Sequence, residues 1–184
     1  MRAWSRRWIA LGAGAGCLLA GTVVAVVLLT DHAEPELDED LWRAVAPVVH
    51  AELPANRKHT WPGSPAGRWF CAERAVETRR DGSDVRVGLI ANCSEYVGRD
   101  GVLVQSSGRS GALVVTLASG PDGYRVRDIE APVDGAGHDE SLRRMFSTAG
   151  YEEVRRSASR AGPDPAPEAR AALGLPADAP VVLR

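Results

Sequence analysis

The sequence predicts an α+β fold: an N-terminal transmembrane helix, then a helix packed on an antiparallel β-meander, then short C-terminal helices and a Pro-rich tail. Three observations predict it. Ile9 to Thr30 is an uncharged apolar run. Leu37, Leu41, Val45, Val48, Val49 and Leu53 recur at helical spacing. From Trp69 to Ile129 apolar and polar residues alternate in short stretches separated by Gly, Pro, Asp and Ser, the pattern of strands joined by tight turns. The segments that follow are 1–30 (cytoplasmic N-terminus and signal anchor), 31–67 (stalk, helix and loop), 68–160 (the extracytoplasmic α+β domain) and 161–184 (the Pro/Ala-rich tail).

The apolar run IALGAGAGCLLAGTVVAVVLLT holds 22 residues, roughly 33 Å of helix, enough to cross a hydrocarbon core of about 30 Å. A cleavable signal has a shorter apolar region and a small-x-small site, and Leu29-Thr30-Asp31-His32-Ala33 supplies neither. Arg2, Arg6 and Arg7 precede the run, whereas Asp31, Glu34, Glu36, Asp38, Glu39 and Asp40 follow it. The positive-inside rule then sets the N-terminus in the cytoplasm and the rest outside, a single-pass cell-membrane protein. Gly12 and Gly16 form a Gly-x-x-x-Gly pair, and Cys17 lacks the leucine of a lipobox before it, since Gly14 stands there.

Beyond the acidic stalk, Asp38, Glu39 and Asp40 open the first helix, where negative charge favours its dipole. Pro47 predicts a kink or an early end. Residues 54–67 are rich in Pro and Gly and read as a loop. Trp69–Arg79 and Val85–Val97 form a hairpin about Asp81-Gly82-Ser83, and Asp100-Gly101 turns the chain into Val102–Ser106. Gly108-Arg109-Ser110-Gly111 reads as a flexible connection to Leu113–Leu117, which pairs with Tyr124–Ile129 across Gly120-Pro121-Asp122-Gly123. Ser141–Arg160 is helical, with Leu142, Met145 and Phe146 on one side. The tail from Ala161 carries five prolines and is expected to be mobile, apart from a turn or two near Glu168–Leu173.

The cysteines give the sharpest expectation. A hairpin turning about Gly82 sets Cys71 directly opposite Cys93, at a separation suited to a disulfide, and the oxidising space outside the membrane favours the bond. The same register gathers Trp69, Cys71, Glu73, Ala75, Val85, Val87, Leu89, Ala91 and Cys93 on one face. Glu73 is the lone charge there: either an edge residue, solvated or paired with an arginine, or a carboxylate with a raised pKa in a ligand pocket.

Composition limits the function. Of 184 residues 45% are apolar, and 22 basic residues nearly balance 24 acidic ones, so the basic footprint of a nucleic-acid binder is missing. With 5% aromatic residues, stacking platforms for bases are not expected either. Gly108-Arg109-Ser110-Gly111 lacks the second glycine of a nucleophile elbow, because Ala112 takes its place. His138-Asp139-Glu140 cannot converge on one metal from consecutive helical positions. No His-Glu-x-x-His, Cys-x-x-Cys or phosphate-binding glycine loop occurs, so neither a cofactor nor a metal is expected.

A long helix before an antiparallel meander resembles the NTF2-like and cystatin-like α+β domains. The strings Trp69-Phe70-Cys71, Ala91-Asn92-Cys93-Ser94-Glu95-Tyr96, Ser107-Gly108-Arg109-Ser110-Gly111 and Pro132-Val133-Asp134-Gly135 are similar to those of small actinobacterial cell-envelope proteins of unknown function. An arginine excess, with Lys58 the single lysine, fits the GC-rich genome of such a source. The resemblance implies an exported domain and carries no catalytic residues. Two functions follow as expectations. One is a non-enzymatic, membrane-tethered binding or assembly domain with envelope protein partners. The other is a small-molecule binder or hydrolase with Glu73, Glu95, Tyr96 and His138 around a pocket on the concave sheet face.

Overall fold

The computed structural model describes residues 36–56, 60 and 65–184. The predicted membrane span, Cys17 and the Gly12/Gly16 pair lie outside the described residues. Among those residues no helix is long and apolar enough to cross a membrane. The described residues form a mixed α+β fold: a sheet of five strands with four α-helices.

Helix α1 (Glu39–Glu52) starts at Asp38, whose carboxylate accepts from the Leu41 amide at 2.9 Å; this is a side-chain cap with Glu39 and Asp40 in the first turn. Thr78 Oγ1 accepts from the Asp38 amide and pins that cap to the sheet. The predicted early end at Pro47 does not occur, and the helix runs on to Glu52. Pro47 and Arg43 are both exposed, so the carbonyl that loses its donor faces water.

The strands β1 (Arg68–Asp81), β2 (Asp84–Arg99), β3 (Val102–Gly120) and β4 (Gly123–Glu130) form an antiparallel meander in chain order. Asp100 and Gly101, both at positive φ (49° and 79°), make the tight β2–β3 turn that an Asp-Gly pair favours. Cys71 faces Cys93 as predicted and is joined to it by a disulfide. The register reaches that pairing by a different path. The turn lies between Gly82 and Ser83, so that Asp81 faces Asp84, and a bulge between Ala75 and Glu77 shifts the remainder back by one. The bulge also turns Val76 and Glu77 toward the same side. Val76 packs there with Met145, Phe146 and Tyr151, and Glu77 accepts from the Ser147 amide and hydroxyl.

Both faces of the sheet are covered, not one. On the first, Leu41, Val45, Val49 and Leu53 of α1 and its following turn bury against Cys71, Val87, Leu89, Leu113 and Val115. The intervening residues Ala112 and Val114 point the other way, as strand alternation requires. They meet α2 (His138–Met145) and α3 (Thr148–Ser157) through Leu142, Phe146 and Val154. A Cβ on Gly88 would lie 2.6 Å from the Phe146 ring, so glycine in mid-strand lets α2 approach. The helical stretch expected over Ser141–Arg160 is made of two short helices that meet at Phe146 and Ser147, the first beginning already at His138, with Ser147 capping α3 through the Gly150 amide.

Two further expectations are corrected. The tail does not stay mobile. Helix α4 (Ala166–Ala172) sets Ala166 and Ala169 against Phe70, Tyr96 and Leu103, and β5 (Val181–Leu183) pairs in parallel with Leu103–Gln105 of β3. The prolines define the helix rather than prevent it: Pro165 stands at its N-cap and Pro167 in its first turn, where a missing amide costs nothing. Gly108–Gly111 is not a connection either. Strand β3 runs unbroken through it, paired along its length with β2.

Candidate functional site

The four residues proposed for one pocket have separate surroundings. Glu73 lies under α1 with its side chain 8% exposed. His50, one position past the buried Val49, brings its Nδ1 to 3.1 Å from Oε1 and 3.2 Å from Oε2 of Glu73. The other ring nitrogen, Nε2, lies 3.3 Å from Glu168 Oε2 on α4. The partner is thus a histidine, not an arginine, and the chain of contacts links α1, β1 and α4. Burial raises the Glu73 pKa, and the hydrogen bond and charge of His50 only partly oppose it. Burial alone would lower the His50 pKa, but the hydrogen bond and charge of Glu73, with those of Glu168, outweigh it and the net shift is upward.

A raised histidine pKa sets the sign of the pH dependence. The stabilisation is complete below the unfolded value of 6.5 and is lost as pH rises through the higher folded value. The His50 side chain is 44% exposed, so the effect is expected to stay below about 1 kcal/mol. Urea midpoints of the full-length chain are therefore expected to fall between pH 6 and pH 8.5. In His50→Gln that fall should vanish, and an unchanged slope would contradict the contact.

Glu95 is 2% exposed and accepts a 2.5 Å hydrogen bond from Ser106 Oγ, the residue bulged out of register on β3. A Cβ on Gly67 would come within 2.4 Å of Glu95 Oε1, which shows how closely the chain wraps this carboxylate. Tyr96 is 3% exposed, with its ring 6.3 Å from that of Phe70, and burial raises its pKa. Both residues hold the far end of the sheet together.

His138 is placed differently. It opens α2, is exposed, and its Nδ1 lies 3.1 Å from the Val133 carbonyl. Asp139 does not orient it: that carboxylate takes hydrogen bonds from Tyr151 Oη at 2.6 Å and from Arg143 and Arg155, which hold its pKa at about 2. No hydrogen bond joins His138 to Ser110 among the described residues, so the two do not form a nucleophile–base pair. No group of three His, Cys, Asp or Glu side chains among the described residues is placed to hold a metal ion.

His138 does border the two clefts that flank β3. The larger, about 740 Å³, has a floor of Ile90, Ala112, Leu142 and Val154, with Arg155 and Arg160 at its rim. The smaller, about 90 Å³, lies against Cys93, Arg109, Leu113, Pro132 and Asp134. Ser110, Gly111 and Ala112 line both. Sequence reasoning missed this place because a run of Gly, Ser and Ala looks like a connection. The available signal was the lack of Pro or a lysine among residues that otherwise continue a strand.

The structure thus defines a mixed α+β domain with a cleft at the middle of its third strand. Comparison with protein families, curated proteins and solved structures finds no match to this chain.

Proposed function

We propose that the chain is a membrane-tethered, extracytoplasmic binding or assembly domain of a bacterial cell envelope, and that it takes its partner in the cleft along β3. The observation that carries the reading is that cleft: two hollows meeting at Ser110–Ala112, with apolar walls from Ile90, Leu113, Leu142 and Val154 and both arginines and aspartates among their lining. The tether rests on the 22-residue apolar run with arginines before it and acids after it. The Cys71–Cys93 disulfide suits an oxidising compartment. The likeness to NTF2-like or cystatin-like domains belongs to the same reading, through a helix laid across a meander. Helices on the second face depart from a sheet left concave and open, and they move the binding place from the sheet's face to its edge.

Site-specific photocrosslinking in intact cells tests this. A benzophenone side chain replacing the exposed Ser110 is expected to give a discrete adduct, whereas the same probe at Asp122, in the β3–β4 turn, should give none. Equal labelling from both positions, or none from Ser110, would overturn the reading.

A further inference from the structure

We infer that the open interval of β3 is a slot for an extended peptide, which joins the sheet as a strand between β4 and β5; this rests on the binding reading above and names the partner's form. Strand β3 is longer than what covers its outer edge. Residues Val114–Gly120 pair with β4, and Leu103–Gln105 pair with β5. Between them lie the eight residues Ser106–Leu113, about 27 Å of strand, whose backbone on the side away from β2 has no hydrogen-bond partner among the described residues. On the β4 side, pairing ends at Glu130, and Pro132, two residues on, brings no N–H with which to extend the ladder.

Proteins ordinarily guard such an edge with lysine, proline, a covering loop or a very short strand. Here the interval carries the Ser106 bulge and Arg109, but Gly108, Ser110 and Gly111 are exposed and set no bulky side chain over the backbone. An added strand sends alternate side chains to the two faces of the sheet. A cleft waits on each: the smaller beside Cys93 and Leu113 on the α1 side, the larger beside Ala112, Leu142 and Val154 on the other.

The recess decides what can enter. Strands β4 and β5 both stand one strand width out from β3, so the open backbone sits at the bottom of a notch. A second copy of this chain carries the same notch, and two recessed edges cannot meet. A notch of this length fits a single extended segment of about eight residues, and the occupant inferred is such a segment of another protein. Charge narrows it further. Arg109 is half-buried in the smaller cleft and forms no ion pair among the described residues, while Asp134 borders the same cleft and is exposed. An acidic side chain on the incoming strand, opposite Arg109, completes the slot.

The test uses displayed random octapeptides panned against the full-length chain in detergent micelles. Enriched peptides are expected to alternate in polarity and to carry one Asp or Glu, a preference that Arg109→Gln should abolish. Each is then resynthesised with N-methyl groups on alternate amides, which leaves the protein untouched. Methylation in one phase should weaken binding about tenfold per blocked hydrogen bond, and in the other phase far less. Peptides that bind but tolerate methylation in both phases would overturn strand addition while a discrete Ser110 adduct upheld the binding reading. No enriched peptide together with no Ser110 adduct would overturn both.

Discussion

Replacing both Cys71 and Cys93 with alanine is expected to lower the unfolding free energy by about 3 kcal/mol. The bond closes a loop with a sequence separation of 22, and the chain entropy released to the unfolded state on cutting such a loop is of that size. Both residues are almost fully buried under α1, so lost packing adds to the effect. Small domains hold only about 5–15 kcal/mol in all, so the loss should be plain in urea unfolding of the full-length chain followed by circular dichroism. Reducing agent added to the native protein should reproduce it. An unchanged midpoint would mean that the hairpin is held by its ladder and core alone. Because Cys93 also lines the smaller cleft, the double variant is expected to loosen the slot beside Arg109 as well as the fold.

The legible parts of this fold were those governed by local rules. Helical spacing from Leu41 to Leu53, the Asp-Gly turn at Asp100-Gly101 and strand alternation through Val85, Val87 and Leu89 depend on neighbours a few residues apart. The Cys71–Cys93 pairing was legible through two compensating steps, a turn centred one half-residue further on and a bulge at Val76 that restored the count. What escaped was decided at long range. Nothing in the spacing of Ala166 and Ala169 reveals that small side chains there fit against Phe70 and Tyr96, so proline content alone suggested a loose tail. Gly108–Gly111 reads as a break because glycine is usually one; only the partner strand β2, already in place, makes it strand. Glu73 was singled out correctly as the charge on an apolar face. Its partner His50 could have been found by carrying the helix phase one residue past Val49, since that position leans toward the same sheet. Glu95, Tyr96 and His138 do not share a pocket, because the first two, adjacent on β2, turn to opposite faces of the strand and the third arrives on α2.

The largest local contrast in the molecule should lie along β3, and residue-resolved hydrogen exchange of the free full-length chain reads it directly. In Val114–Ala118 both phases of amide are covered, one by β2 and the other by β4, so all should exchange slowly. In Ser107–Ala112 only the amides facing β2 are paired. Exchange from paired strands waits on opening events that cost up to the global stability, whereas unpaired amides need none. Alternate residues of Ser107–Ala112 should therefore exchange at least about a hundredfold faster than their neighbours, a gap worth roughly 2.7 kcal/mol. Uniformly slow exchange across the interval would mean that the edge is already covered, and it would contradict an open slot for a partner strand.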